Sequence, residues 1–156
     1  MEEPGRPQEN TPASTLAQLK ALPSLEDTKA QVQNAVSEIT TAAAGVIPEI
    51  QWLSVHGEDI GNCESPYDQT DGKRVFLADS VAEGVHVSEP EWTTILAAAK
   101  TSAAKIEATD VQVMKDQPGN HDVWFSGPIG ISVKIAYHGN LVVSGYTGCR
   151  LPRSKR

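Results

Sequence analysis

Two cysteines, Cys63 and Cys149, constrain this chain more than any other residues. The first lies in a mid-chain stretch rich in Gly, Asp, Asn, Ser and Pro; the second closely follows a run of strand-forming residues. Joined, they would tie a central loop to the last strand, hold both in one domain, and place folding in an oxidising compartment. In the chain-entropy picture such a bond contributes roughly 4–5 kcal/mol, an upper figure because native strain subtracts from it. Two unrelated buried thiols are the other reading. Two cysteines are too few for a disulfide-dense scaffold or for a structural zinc site, which usually takes four ligands.

A chain of 156 residues suffices for one domain with a real core. A net charge of -7 excludes a general nucleic-acid binder, which needs Lys and Arg in excess to displace counterions. It also disfavours docking on anionic lipid through basic clusters. The only basic run is Arg150, Arg153, Lys155 and Arg156, read as a solvated end with residues 152–156 as a tail. No stretch approaches the roughly 20 apolar residues of a membrane span. The first residues are polar and lack the basic start and apolar run of a secretory leader, so an exported form would need a leader outside this sequence.

Residues 1–15 read as a flexible arm, because Glu, Pro, Gly, Gln, Asn and Thr offer too little burial to offset ordering entropy. Residues 16–151 read as the folded domain. Leu16, Leu19 and Leu22 predict a short helical piece ended by Pro23. Ser24 opens a second helix, with Glu26 and Asp27 at the positive end of its dipole. Leu25, Thr28, Val32, Val36, Ile39, Ala43 and Val46 recur every three or four residues, and Gly45 and Pro48 stop the pattern. Residues 50–55 read as a strand, 57–72 as a long loop carrying Cys63 and Tyr67, and 73–78 as another short strand. Ser88 and Glu91 form a capping box for a third helix, with Trp92, Ile95, Ala99 and Ile106 on one face.

The last third is strand-like. Val111–Lys115 and Val123–Phe125 flank a turn sequence at 116–120, which predicts a hairpin. Ile131, Val133, Ile135 and Tyr137 alternate with Ser132, Lys134, Ala136 and His138, the period of a half-buried strand. His138, Gly139 and Asn140 then turn the chain into Leu141–Tyr146. The expected fold is α+β, an antiparallel sheet of about four to six strands with two main helices packed on one face.

No catalytic constellation stands out. Cys63, His56 and Asp59 hold the residue types of a thiol nucleophile, base and orienting group, but a disulfide would remove the nucleophile. His56, Glu58, Asp59 and Glu64 match no oxygen-ligand template for a hard cation, and a solvated acidic loop accounts for them. His121 and Asp122 sit beside a turn, where polar residues belong. Gly127–Gly130 and Gly145 lack the following helix and Lys of a phosphate loop. Glu49, Glu58, Glu64 and Glu91 could supply the two carboxylates of a glycosidase, at separations a sequence does not show. Neither a metal nor a cofactor is expected.

The aromatics carry more. Trp52 and Trp92 read as core. Trp124, between Val123 and Phe125, and Tyr146 fit equally a core or an outward-facing partner surface. Tyr67, Trp124, Tyr146 and Arg150 are the candidate partner or ligand surface.

Cys63 after a polar loop, Asp79-Ser80-Val81 with Gly84, Ser88 and Trp92 at a helix start, Ala108-Thr109 after it, and a terminal Ser144-Gly145-Tyr146-Thr147-Gly148-Cys149 form one pattern. On these residues Trp52–Leu151 resembles the LppA-like lipoproteins of mycobacteria and their relatives, including copies carried by phages and prophages. The resemblance implies an envelope domain on the outer face of the cytoplasmic membrane, held by a lipidated N-terminal cysteine. This sequence contains neither that cysteine nor a leader, so attachment is expected only through an anchor absent from this chain. The resemblance brings no catalytic residues. It leads to a non-enzymatic domain that binds an unknown protein partner, in one version a phage-encoded surface protein that excludes superinfecting phage. A carrier for an apolar or lipid-like ligand, held between the Ala-rich helix and the sheet, is the alternative.

Overall fold

The computed structural model describes residues 11–156. In chain order its elements are α1 (Pro12–Lys20), α2 (Leu25–Val46), β1 (Leu53–Val55), β2 (Asp59–Asn62), β3 (Lys73–Phe76), β4 (Asp79–Ala82), α3 (Glu89–Ala104), β5 (Asp110–Gln117), β6 (Asn120–Ser126), β7 (Ser132–His138) and β8 (Asn140–Tyr146). Short 3-10 turns occupy Tyr67–Gln69, Pro128–Gly130 and Arg153–Lys155. The α+β class is as expected, with a larger sheet of eight strands in the order β1-β4-β8-β7-β6-β5; β3 joins β8 and carries β2. The pairings are antiparallel. The extra strands are short. β2 lies in the stretch read as loop, since Gly61 and Asn62 are poor strand formers and pairing with β3 holds them extended.

Each helix forms for reasons visible in its first turn. The Ser24 hydroxyl accepts the Asp27 N–H at 3.1 Å. At α3 both bonds of the capping box are made, Glu91 N–H to the Ser88 hydroxyl and Ser88 N–H to the Glu91 carboxylate. The stripe of α2 buries Val32, Val36, Ile39 and Ala43; α3 buries Trp92, Ile95, Ala99 and Ala103. Both lie on the sheet face presented by Val123, Phe125, Val133, Ile135, Leu141 and Val143. Approach is closest at Gly145, where an added Cβ would come within 2.5 Å of a Val32 methyl. Bare backbone is what lets α2 lie directly on β8.

Cys63 and Cys149 are bonded, with Cα atoms 5.5 Å apart. The bond sits in a second, smaller core with Leu19 and Leu151, separate from the main one. Gly72 passes over it so tightly that a Cβ would lie 2.6 Å from one sulfur and 2.9 Å from the other.

The two ends depart from the expected arm and tail. Thr11 caps α1, and residues 12–15, expected as arm, lie inside that helix with Thr15 buried; residues 1–10 lie outside the described residues. Near the other end, Glu26 accepts the Arg153 N–H at 2.9 Å, and the Arg153 guanidinium reaches Asp27 at 3.0 Å. Acidic residues at the start of α2 thus hold the basic segment.

His121, expected merely beside a turn, is buried and stacked on Trp92, with ring centroids 4.6 Å apart. Its Nε2 lies 2.9 Å from the Glu89 carboxylate, which also accepts the Gly119 N–H. The first turn of α3 is thereby fastened to the β5–β6 turn.

Two predictions follow from this arrangement. Replacing both Cys63 and Cys149 by Ala should cost about 4 kcal/mol of folding stability, seen as a shifted denaturant midpoint. The pKa of Glu89 is lowered by its bond to His121, those of Glu26 and Glu91 by backbone N–H groups of Arg153 and Ser88, and that of Glu38 by Lys105. Because the folded values lie below the ordinary 4.5, the contribution is full above pH 4.5 and is withdrawn as pH falls through them. Thermal midpoints should therefore drop on acidification below that point, and Glu89→Gln should flatten the drop.

Candidate functional site

The sheet face turned away from α2 and α3 carries a row of rings standing on neighbouring strands. Phe76 on β3 is directly opposite Tyr146 on β8, and Trp124 on β6 leans across β7 toward Tyr146. Trp124 and Tyr146 stack at 5.3 Å with planes 12° apart; Tyr146 and Phe76 meet edge to face at 5.7 Å. Both are favoured arrangements of aromatic quadrupoles. A cation stands over each end of the row: Lys134 Nζ is 5.3 Å from the Trp124 centroid, and the Arg74 guanidinium 5.3 Å from that of Phe76. Arg74 also pairs with Glu64 at 3.1 Å. The rings line a cleft of about 420 Å³ walled by Tyr67, Ile129 and Ser132. Burial raises the Tyr146 pKa, a hydrogen bond with Ser144 opposing, so its phenol is neutral at physiological pH.

The walls are built from separate parts of the chain. Tyr67 stands on its own 3-10 turn and donates its hydroxyl to Gln18 of α1 at 2.6 Å. Ile129 has φ 50 and ψ 44, a left-handed conformation costly for a β-branched residue. What holds it there is visible. The Cys149 N–H donates to the Ile129 carbonyl at 3.0 Å, and Gly148 passes so close that a Cβ would lie 2.2 Å from that oxygen. The Arg150 guanidinium, beneath the loop, donates to the Cys149 carbonyl at 2.8 Å, the Pro128 carbonyl at 2.9 Å and the Ile129 carbonyl at 3.5 Å.

Three of the four candidate surface residues, Tyr67, Trp124 and Tyr146, come together in this cleft. Arg150 does not. It is 2% exposed, so it belongs neither to a partner surface nor to a solvated basic run. Its backbone pairs with Lys73, which turns the side chain inward under the 128–130 loop. Burial pushes its pKa down to about 10 with Glu107 opposing, so it stays charged at neutral pH. Arg150 shapes the cleft wall from behind. Arg74, Phe76, Lys134 and Ile129 were not singled out from the sequence. Only Lys134 left a signal, as a polar position alternating with buried Val133 and Ile135.

The candidate chemistry disperses. Cys63 is bonded to Cys149 and has no thiol, while His56 Nδ1 lies 3.1 Å from Asp79. Glu58 pairs with Lys29 at 2.8 Å, Glu64 with Arg74, and Glu91 closes the α3 cap. The cap also lowers the Glu91 pKa, opposite to what a general acid needs. Among the described residues no three His, Cys, Asp or Glu side chains gather as metal ligands. The cleft presents stacked rings, flanking cations and a shaped wall.

The family model named LppA, described as a lipoprotein confined to pathogenic Mycobacterium, matches residues 1–153. The chain belongs to the LppA family. The fold agrees with two solved structures. A DUF4853 family protein from Actinomyces odontolyticus superposes with a TM-score of 0.60 at 19% identity, covering 88% of this chain and 74% of that one. The protein named LppA from Mycobacterium tuberculosis superposes with a TM-score of 0.58 at 13% identity, covering 91% and 88%. No curated protein matches the chain.

Removing Arg150 should undo the wall rather than a binding contact. Arg150→Met leaves backbone carbonyls without donors and should cost about 3 kcal/mol, whereas Tyr67→Phe should cost about 1 kcal/mol or less. Urea denaturation of the two variants checks both figures.

Proposed function

We propose that this LppA-family domain is a non-enzymatic binding module of the cell envelope, and that it takes a protein partner in the open-face cleft. The observation that carries this reading is the convergence of Tyr67, Trp124 and Tyr146, from three distant parts of the chain, into one walled pocket. Large rings with charged neighbours on a rigid sheet are what partner-binding surfaces use as anchors. A strained wall residue, held by a buried guanidinium, fits a site whose shape is set before binding. Lipoprotein membership of the family supports an extracytoplasmic address, with an N-terminal lipid as the tether. No described helix is long and apolar enough to cross a membrane.

The alternative, an apolar ligand held between α3 and the sheet, finds little support in the packing. Ile95, Ala99 and Ala103 are fully buried against the sheet, and the apolar space that remains beside α3 is a groove of about 330 Å³ at the β5 edge, outside that packed layer. Exclusion of competing phage is a narrower version of partner binding, separable by plating assays on cells that display the domain.

The test places a photo-reactive residue at Ser65, exposed on the cleft rim, in protein displayed on mycobacterial cells. A discrete cross-linked protein is expected, and Trp124→Ala with Tyr146→Ala should abolish it in a variant that still unfolds cooperatively above the assay temperature. No adduct, or an adduct indifferent to both substitutions, refutes the reading.

A further inference from the structure

β5 is an open edge. Its eight residues are all exposed, and it pairs only with β6. The opposite edge, β1, is three residues long. Long exposed edges template pairing with another strand, and proteins usually blunt them with short strands, charge or bulges. β5 has a bulge between Val113 and Lys115, yet it also exposes Val111 at 47%, Val113 at 57% and Met114 at 60%. Val111 and Val113 pair with Phe125 and Val123, so they lie on the helix-bearing face. There, with Leu96, Ala97 and the rim residues Thr93 and Lys100 of α3, they line an apolar groove of about 330 Å³.

The pattern along β5 selects its occupant. Asp110, Gln112 and Lys115 pair with Ser126, Trp124 and Asp122, which puts all three on the open face once Met114 is taken up as the bulge. Counted that way, Asp110 and Lys115 stand two positions on either side of Gln112. An antiparallel copy of the same strand, centred on Gln112, therefore sets Asp110 against Lys115 twice and Val111 against Val113 twice. Neither Asp110 nor Lys115 has a side-chain hydrogen bond or ion pair among the described residues. The strand is complementary to itself in charge, in apolar content and in facing.

We propose that β5 pairs with β5 of a second copy of this chain about a twofold axis through Gln112. The two sheets become one, Val111 and Val113 of both copies close the groove beside the two α3 helices, and each Asp110 meets the other copy's Lys115. An axis perpendicular to the sheet also puts both aromatic clefts on one side of the dimer.

Sedimentation equilibrium on the purified domain tests the proposal through charge reversal. The unmodified protein should show a reversible monomer–dimer equilibrium. Asp110→Lys and Lys115→Asp should each weaken it about tenfold, because each turns two attractive cross-strand pairs into repulsive ones. The double reversal restores opposite charges and should return the dissociation constant to within about threefold of the original. A monomer at every concentration up to millimolar overturns the proposal, as does a dimer indifferent to the single reversals or a double variant as weak as either single one. Register is tested separately by Gln112→Cys, which should form a covalent dimer on mild oxidation because the axis sets position 112 opposite itself, within the roughly 4.4–6.8 Å Cα spacing a disulfide needs. Cross-linking as efficient for Gln117→Cys overturns that register.

Discussion

The bond between Cys63 and Cys149 is where the small core, the chain ends and the cleft meet. It closes a segment of 86 residues and sits with Leu19 of α1 and Leu151. From the same Cys149, the backbone N–H holds the Ile129 carbonyl, and the next residue sends its guanidinium under the 128–130 loop. The left-handed Ile129 is thus paid for by a hydrogen bond, a buried cation and the bare backbone of Gly148, all within reach of one covalent link. Such local strain persists only where its surroundings over-determine it.

The second organising constraint is the unequal treatment of the two sheet faces. α2 and α3 cover one face of the central strands, and the side-chain alternation of β6, β7 and β8 sends Val, Ile, Leu and Phe there. What is left for the other face is Trp124, Lys134, Ser144 and Tyr146. With no helix over them, these side chains satisfy one another by stacking, by cation contact and by the bond from Ser144 to Asp79 at 2.6 Å. The cleft is a by-product of where the helices are not.

How far this could be read from residues alone follows from which interactions are periodic. The α2 stripe, the Ser24 cap, the α3 capping box, the 116–120 hairpin and the alternation of β7 are local patterns, and each was legible. The disulfide was legible as one of two possibilities. β2 was not, because its pairing with β3 overrides the poor strand propensity of Gly61 and Asn62. Trp124 and Tyr146 were left open between core and surface, since their facing depends on register. Arg150 was misplaced because its partners are main-chain carbonyls, which have no sequence signature. The turn beside His121 gives no sign of its burial, because Trp92 and Glu89 enclose it only when α3 docks on the hairpin.

The ring row bears on what sort of guest could be admitted. Trp124 already has Tyr146 stacked on it and an ammonium over it, and Tyr146 meets the edge of Phe76. A flat heterocycle would have to prise this stack apart and give up contacts as good as those it brings. A narrow, irregular chain that lies along the ring edges, carrying carboxylates toward Arg74 or Lys134, would disturb nothing. The cleft thus presents ring edges and open volume rather than a free ring face, which suits the proposed polypeptide partner better than a planar small molecule.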